Sequence, residues 1–168
     1  MGILSKLFGC KSKTREKFVE IYSPIDGDIV DLADVPDEAF ACRAIGDGVA
    51  IVPSENGDVI HSPVDADDMS IFETNHAVSF ESREGLEIIV HFGVDTVNLG
   101  GKGFERIGKE GSSKIGDKLV RYDLEYLKSN AKSVKTPVII SNMEIVEEIE
   151  RGSGKVKAGE LLMKVKIK

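Results

Sequence analysis

Hydrophobic and polar side chains alternate along much of the chain with a period of two residues, which is typical of half-buried β-strands. The alternation is clear from His76 to Phe80, and the run from Leu86 to Phe92 is rich in β-branched residues. Turn-forming residues separate these two runs between Ser82 and Gly85. The pattern therefore predicts one β-hairpin within residues 74–97.

The register of this hairpin decides where its two histidines lie. A turn of two or four residues places Ser82 opposite Gly85, and His76 then lies opposite His91. Cβ atoms of directly opposed residues are roughly 4.5–5.5 Å apart on one face, so we expect the two imidazoles to be neighbours. A three-residue loop with a bulge would instead send them to opposite faces.

Short strands and turns dominate the rest of the chain. The pattern predicts strands at 18–22, 29–32, 49–52, 136–141 and 161–167, a helix at 122–131, and brief helical turns at 34–40, 104–109 and 143–149. Such a series predicts an all-β fold, an antiparallel β-sandwich or flattened barrel with a few short helices.

Two segments of the sequence occur twice. Residues 62–67 repeat residues 23–28 almost residue for residue, and Lys114 to Leu119 resembles Lys157 to Leu162, each with a glycine and an acidic residue before a strand. We interpret these repeats as a duplicated motif, two similar β units joined in one domain.

Length and charge restrict the class of protein. With 168 residues the chain suits a single domain, here residues 18–168, after a basic, amphipathic tail at residues 1–17. A net charge of -7 argues against binding to nucleic acid. Two cysteines without a signal peptide or a transmembrane run favour the reduced cytoplasm. Residues 2–8 are apolar and precede several basic residues, which suits either a frayed tail or peripheral contact with a membrane.

Three kinds of chemistry suit a pair of adjacent histidines: a metal site, acid-base catalysis, or a nucleophilic nitrogen that carries a group covalently. A catalytic zinc site usually needs three protein ligands, and Asp95 is the obvious third candidate. No Gly-x-Ser-x-Gly motif supports a serine hydrolase, and Gly46 to Gly48 lacks the context of a phosphate loop. The third histidine, His61, is interpreted as structural.

A covalent carrier fits the sequence best. A neutral imidazole with one nitrogen held by a backbone carbonyl presents the other lone pair as a nucleophile, with an ordinary pKa near ~6.5. His91 ends a strongly apolar strand that should hold it rigidly, and Gly93 can supply a carbonyl. Thr74 can fix the tautomer of His76.

The run from Gly85 to Val97, with residues 72–76 upstream, resembles enzyme IIA of the glucose class in the bacterial phosphoenolpyruvate-dependent sugar phosphotransferase system. The resemblance extends over nearly the whole chain. Its further matches are Pro24, Asp26, Gly27, Asp34 to Asp37, Phe40, Gly46 to Gly48, Pro63 to Asp65, Gly103, Phe104, Gly116, Asp117, Thr136 to Ile139, Ser141 and Asn142. Ala66 departs from the glycine that the family usually has.

The resemblance implies a phosphotransferase component with a phosphohistidine intermediate and no obligatory cofactor. His91 would accept a phosphoryl group at Nε2 from the phosphohistidine of the carrier protein HPr, and would pass it to a cysteine of the enzyme IIB domain of a glucose-type sugar permease. His76 would stabilise the transferred group, Thr74 would orient His76, and the carbonyl of Gly93 would hold Nδ1 of His91.

The resemblance also implies a docking surface around the histidines. Asp37 and Asp95 would meet arginines of the partner, and an apolar ring would consist of Phe40, Ile45, Phe72, Val78 and Phe80, although ordinary core packing is the alternative for these five. In some bacteria, family members that diffuse freely in the cytoplasm also regulate permeases or kinases, and the resemblance implies the same regulatory role here. An amino-terminal anchor like residues 2–8 would contact the inner face of the membrane. The alternative function is a non-catalytic regulatory module in which His76 and His91 share a zinc ion with a partner.

Overall fold

The computed structural model describes residues 15–168. These residues form fourteen strands: β1 (Lys17–Tyr22), β2 (Gly27–Val30), β3 (Asp47–Pro53), β4 (Val59–His61), β5 (Ala66–Ile71), β6 (Ala77–Ser82), β7 (Glu87–His91), β8 (Phe104–Arg106), β9 (Gly111–Ser113), β10 (Lys118–Tyr122), β11 (Thr136–Ile140), β12 (Val146–Arg151), β13 (Gly154–Val156) and β14 (Leu161–Ile167). The helices are α1 (Glu38–Ala41), α2 (Leu124–Asn130) and three short 3-10 segments, Leu32–Asp34, Thr96–Leu99 and Met143–Ile145.

All strand pairs are antiparallel. The largest sheet has eight strands in the order β13-β2-β3-β11-β7-β6-β5-β9, and two smaller sheets have the orders β1-β14-β12 and β4-β10-β8. The predicted class, an antiparallel β-sandwich with a few short helices, is confirmed. Within the part of the chain that the structure describes, no helix is long and apolar enough to cross a membrane.

The central strands of the large sheet are buried on both faces, so their sequences are almost continuously hydrophobic. Their inner faces pack into the main core through Val49, Ile51, Ile88, Val90, Val138 and Ile140. On the outer face a second, smaller cluster comprises Leu32, Val35, Phe40, Ala50, Val94 and Ile139, with Val30 and Ile89 packed against it. This outer cluster matters for function because β7 also carries His91 on that face.

The duplicated motif has an internal pseudo-twofold arrangement. In the first unit the Ser23 hydroxyl donates to the carbonyl of Ile25 at 2.7 Å, and in the second the Ser62 hydroxyl donates to Val64 at 2.8 Å. The units also bond each other reciprocally: Tyr22 N–H donates to the Pro63 carbonyl, and His61 N–H to the Pro24 carbonyl. Each serine further exchanges backbone hydrogen bonds with one glycine-acidic turn, 116–117 or 159–160. Both sequence repeats thus occupy equivalent places.

The predicted register of the β6–β7 hairpin is wrong by one residue. Ala77, and not His76, pairs with His91, and the Ser82 amide donates to the Leu86 carbonyl at 2.9 Å. The loop therefore has three residues, 83–85, and ends with Gly85 at a φ of 86°. A glycine at positive φ closes such a loop readily, which the sequence pattern alone did not distinguish from a four-residue turn.

One predicted helical turn, at 104–109, is wrong, and another, at 143–149, is only partly confirmed. Residues 104–106 form β8, which pairs with β10, and only residues 143–145 of the second segment are helical before β12 begins. In both places a neighbouring strand offers backbone partners, and this tertiary pairing outweighs a weak local preference. The helix predicted at 122–131 is confirmed as α2, and β1 begins at Lys17, one residue before its predicted start.

Candidate functional site

His91 occupies the last position of β7, which lies in the large sheet between β11 and β6. Its side chain is on the outer face, and its ring centroid lies 5.1 Å from that of Phe40 on α1. Asp37 caps α1, since its Oδ1 accepts from the backbone amides of Ala39 and Phe40 at 2.9 and 3.4 Å. Strand and capped helix together hold the imidazole in a rigid setting.

One ring nitrogen of His91 is committed to the backbone. Nδ1 lies 2.8 Å from the carbonyl oxygen of Gly93, and because a carbonyl only accepts, Nδ1 carries the proton. Gly93 has a φ of 72°, and a Cβ there would lie 2.7 Å from the Ser133 carbonyl oxygen and 2.8 Å from Cγ2 of Thr96. This carbonyl position therefore requires glycine, and it leaves the lone pair of His91 on Nε2.

His76 lies in the turn between β5 and β6, not in a regular strand. Asn75 has a φ of 58°, and its amide donates to the Phe72 carbonyl at 2.7 Å. The regular alternation of β6 begins only at Ala77, so it does not fix the direction of the His76 side chain. As a result the imidazoles of His76 and His91 meet despite the shifted register, with centroids 4.8 Å apart and planes at 80°.

Thr74 lies in the same turn, where its Oγ1 is 2.5 Å from Nδ1 of His76. The main chain also holds this histidine, because its carbonyl accepts from the Phe92 amide at 2.8 Å. Nδ1 of each histidine is thus engaged within the chain, and the Nε2 atoms are the nitrogens left for a substrate or a partner.

Burial lowers the pKa of both histidines. The pKa of His76 falls to about 4, mainly through loss of solvation and additionally through His91. The pKa of His91 is also lowered by burial, against which the Gly93 carbonyl and the carboxylates of Asp37 and Asp95 act. Both rings are consequently neutral near pH 7, the state in which Nε2 of His91 is nucleophilic.

The surroundings of the pair are largely apolar. A row of rings passes through Phe40, His91, His76 and Phe72, with the last two 5.7 Å apart. Phe72 and Ile45 are each 41% exposed, whereas Phe40 is buried beside His91. Val97, which the sequence analysis missed, is 49% exposed on the 3-10 segment that follows Asp95. The feature of the sequence that could have identified Val97 as part of the surface was an apolar residue beside a glycine-rich loop.

Two residues expected in the apolar docking ring are not on the surface. Val78 and Phe80 of β6 are 0% and 2% exposed and belong to the main core. The one-residue register shift explains the error, because these residues share the inner face with Ile88 and Val90 while His91 faces outward. Asp95, in contrast, is exposed in a left-handed conformation.

The histidine pair can supply two nitrogen ligands to a metal ion. Among residues 15–168, no group of three histidine, cysteine or acidic side chains is arranged to hold a metal, so Asp95 does not complete a site. A zinc ion would need its other ligands from a partner.

Comparison with known proteins gives consistent results. Residues 19–146 match the family model of the phosphoenolpyruvate-dependent sugar phosphotransferase system, EIIA 1. The glucose-specific EIIA component of Haemophilus influenzae is 52% identical over 161 residues, 95% of each chain. The component of the same name from Borreliella burgdorferi is 46% identical over 140 residues, 83% of this chain and 73% of its own.

A solved structure agrees with these relatives. The glucose permease IIA from Mycoplasma capricolum superposes with a TM-score of 0.80 at 35% identity, over 88% of this chain and 96% of that one. Fold, histidine pair and family match therefore agree with the resemblance seen in the sequence. The chain belongs to the EIIA 1 family of the phosphoenolpyruvate-dependent sugar phosphotransferase system.

Proposed function

We propose that the chain is a phosphoryl carrier that receives a phosphoryl group on Nε2 of His91 from the phosphohistidine of HPr and passes it to a cysteine of an enzyme IIB domain. The observation that carries this proposal is the 2.8 Å contact between Nδ1 of His91 and the Gly93 carbonyl. It leaves the lone pair on Nε2 of a neutral ring, as a nucleophile requires. The family match supports a role in sugar phosphotransfer, and the glucose-specific names of the relatives suggest the sugar.

The transfer step balances without a cofactor. The lone pair of Nε2 forms the new N–P bond while the N–P bond of phospho-HPr breaks, and its electron pair returns to the imidazole of HPr. His91 then carries the phosphoryl group and keeps its proton on Nδ1, so its ring becomes cationic. The Gly93 carbonyl stabilises that cation. When the cysteine thiolate attacks phosphorus, the N–P bond breaks, its electron pair returns to Nε2, and His91 leaves as a neutral imidazole, which is a good leaving group.

His76 serves as a hydrogen-bond donor to the phosphoryl oxygens in this proposal. If the Thr74 hydroxyl donates to Nδ1 of His76, Nε2 of His76 carries the proton and can donate to the group on His91. Hydrogen bonds to a developing phosphoryl charge are strong in an apolar, water-poor site. The row of rings around the pair supplies such a site.

Phosphorylation with phosphoenolpyruvate, enzyme I and HPr tests the proposal. We expect an acid-labile adduct of one phosphoryl group, absent in His91→Ala. In His76→Ala the adduct should still form, but its transfer to the IIB domain should slow by more than its formation does. Uptake of one phosphoryl group per chain by His91→Ala, as in the wild type, would refute the assignment.

The docking surface is proposed on the same face, and HPr and the IIB domain would share it. Exposed Phe72, Ile45 and Val97 offer apolar contacts, and Asp37 and Asp95 offer charges for partner arginines. Competition between HPr and the IIB domain for the chain checks this: the two should exclude each other. Formation of a ternary complex would contradict a shared surface.

A second role rests on the two Nε2 atoms, because Nδ1 of each ring is engaged within the chain and the two ring centroids lie 4.8 Å apart. In this role the unphosphorylated chain is a regulatory module that binds a permease or kinase through a shared zinc ion. A pull-down that needs zinc, together with no phosphoryl uptake from phospho-HPr, would favour it over the carrier. We further propose a cytoplasmic location; the expected contact of residues 2–8 with the inner membrane face lies outside the described residues.

A further inference from the structure

Arg106, at the end of β8, contacts the turn that carries Thr74 and His76. Its Nη2 donates to the carbonyl oxygens of Ile71 and Phe72 at 3.0 and 3.3 Å. Its Nε donates to the side-chain oxygen of Asn75 at 3.2 Å. One guanidinium thus binds three acceptors within five consecutive residues of the 71–75 segment.

The segment needs such support because its conformation is unusual. Asn75 has positive φ, a conformation that costs a non-glycine residue free energy, and it stands directly before His76. Phe72, at the start of the turn, packs edge to face against the His76 ring at 5.7 Å. Any relaxation of the turn would therefore move the imidazole relative to His91.

Glu110 completes the arrangement from the neighbouring segment. Its Oε1 accepts from the amide of Ile71 at 2.9 Å and lies 3.7 Å from Nη1 of Arg106. Glu110 and Arg106 together bind both the backbone amide and the backbone carbonyl of Ile71, which is the last residue of β5, where the chain leaves the sheet. The turn is held from its first residue to the one before His76.

We propose that Arg106 is a positioning residue for His76: it clamps the 71–75 turn in the conformation that keeps the His76 imidazole against His91. This inference rests on the proposed function, since it assigns to Arg106 an effect on phosphoryl transfer through His76. The planar fork of arginine, and not its charge alone, is required, because one guanidinium reaches three acceptors that an ammonium group cannot reach together.

Three variants test the clamp: Arg106→Gln removes charge and fork, Arg106→Lys keeps the charge only, and Arg121→Gln is the matched control. Arg121 lies on the adjacent β10, is similarly exposed and pairs with Glu105 at 3.2 Å, away from the turn. We expect both Arg106 variants to slow transfer from phospho-His91 to the IIB domain by about tenfold or more, because a small displacement of the His76 imidazole is enough for an effect of this size. The control variant should transfer at the wild-type rate. Full activity of Arg106→Lys would overturn the proposal.

The effect must also vanish when His76 is absent. In a His76→Ala background, Arg106→Gln should change the transfer rate by less than about twofold, because residues that act through one another are not additive. An equally large effect in both backgrounds would show that Arg106 acts elsewhere, for example on the partner, and would reject the clamp.

Amide hydrogen exchange separates the clamp from the proposed function, because it needs no partner. The amide of Asn75, bonded to the Phe72 carbonyl, should exchange about tenfold faster in Arg106→Gln and Arg106→Lys than in the wild type or in Arg121→Gln. Unchanged exchange would refute the clamp even if phosphoryl transfer occurs. If the wild type forms no phosphohistidine, the proposed function fails while exchange at Asn75 still decides the clamp.

Discussion

The replacement of Gly93 by alanine tests the link between backbone geometry and chemistry. Gly93 has a φ of 72°, and a Cβ at that position would lie 2.7 Å from the Ser133 carbonyl oxygen. The same substitution at Gly85, with a φ of 86° and no atom within 4 Å of the added Cβ, is a matched control. Both variants bear the cost of a side chain at positive φ, and only Gly93→Ala adds the collision.

The magnitudes follow from these geometries. Positive φ costs about 1–2 kcal/mol, which is the expected loss of stability for Gly85→Ala. Forcing a methyl group into packed backbone adds about 1–3 kcal/mol, so Gly93→Ala should lose about 2–5 kcal/mol. Since small domains have about 5–15 kcal/mol of stability, Gly85→Ala should fold fully, and Gly93→Ala should be the less stable of the two variants.

The collision should also reduce phosphorylation, because it displaces the carbonyl that binds Nδ1 of His91. That hydrogen bond strengthens as the ring becomes cationic, and bonds to charged groups contribute about 1.5–3 kcal/mol. Gly93→Ala should therefore accept phosphate from phospho-HPr about ten to a hundred times more slowly, while Gly85→Ala remains at the wild-type rate.

Urea unfolding and single-turnover transfer measure the two effects separately. Transfer is compared at a temperature where circular dichroism shows each variant fully folded. Equal transfer rates for the two variants would refute the role of the Gly93 carbonyl. Equal stabilities would show instead that the Ser133 segment moves aside without cost.

Three further predictions concern the same site. Burial lowers the pKa of His76 to about 4, so the unfolded chain binds the extra proton first, and the free energy of unfolding should fall as pH drops from about 6.5 towards 4. Urea unfolding at a series of pH values should show a smaller pH dependence in His76→Gln than in the wild type. An unchanged dependence would contradict this prediction. Thr74→Val should slow transfer to the IIB domain by about tenfold through the lost contact with His76, with normal stability; a wild-type rate argues against that orienting role. Phe72→Ser should weaken HPr binding, measured by calorimetry, whereas Leu161→Ser on β14, at a similarly exposed apolar residue, should not; equal affinities count against the docking surface.

The sequence alone predicted the fold class, the duplicated motif and the two candidate histidines of this protein. Period-two alternation predicted the β-sandwich class, since a strand with one buried face must alternate. The repeated Ser-Pro and glycine-acidic segments predicted the duplicated motif, because equivalent turns need equivalent side chains. The family resemblance pointed to His91 and His76, and membership of the family is confirmed by the match over residues 19–146.

Only the tertiary structure decided how the histidines meet. Local pattern could not separate a three-residue loop from a four-residue turn, and the resulting shift moved Val78 and Phe80 into the core. The rings still meet because His76 leaves the regular strand in a turn with positive φ at Asn75. Arg106, 30 positions further along the chain than His76, contacts that turn only because β8 lies beside it. Contacts between residues distant in sequence depend on how strands pair, and period-two patterns record only which face a residue prefers.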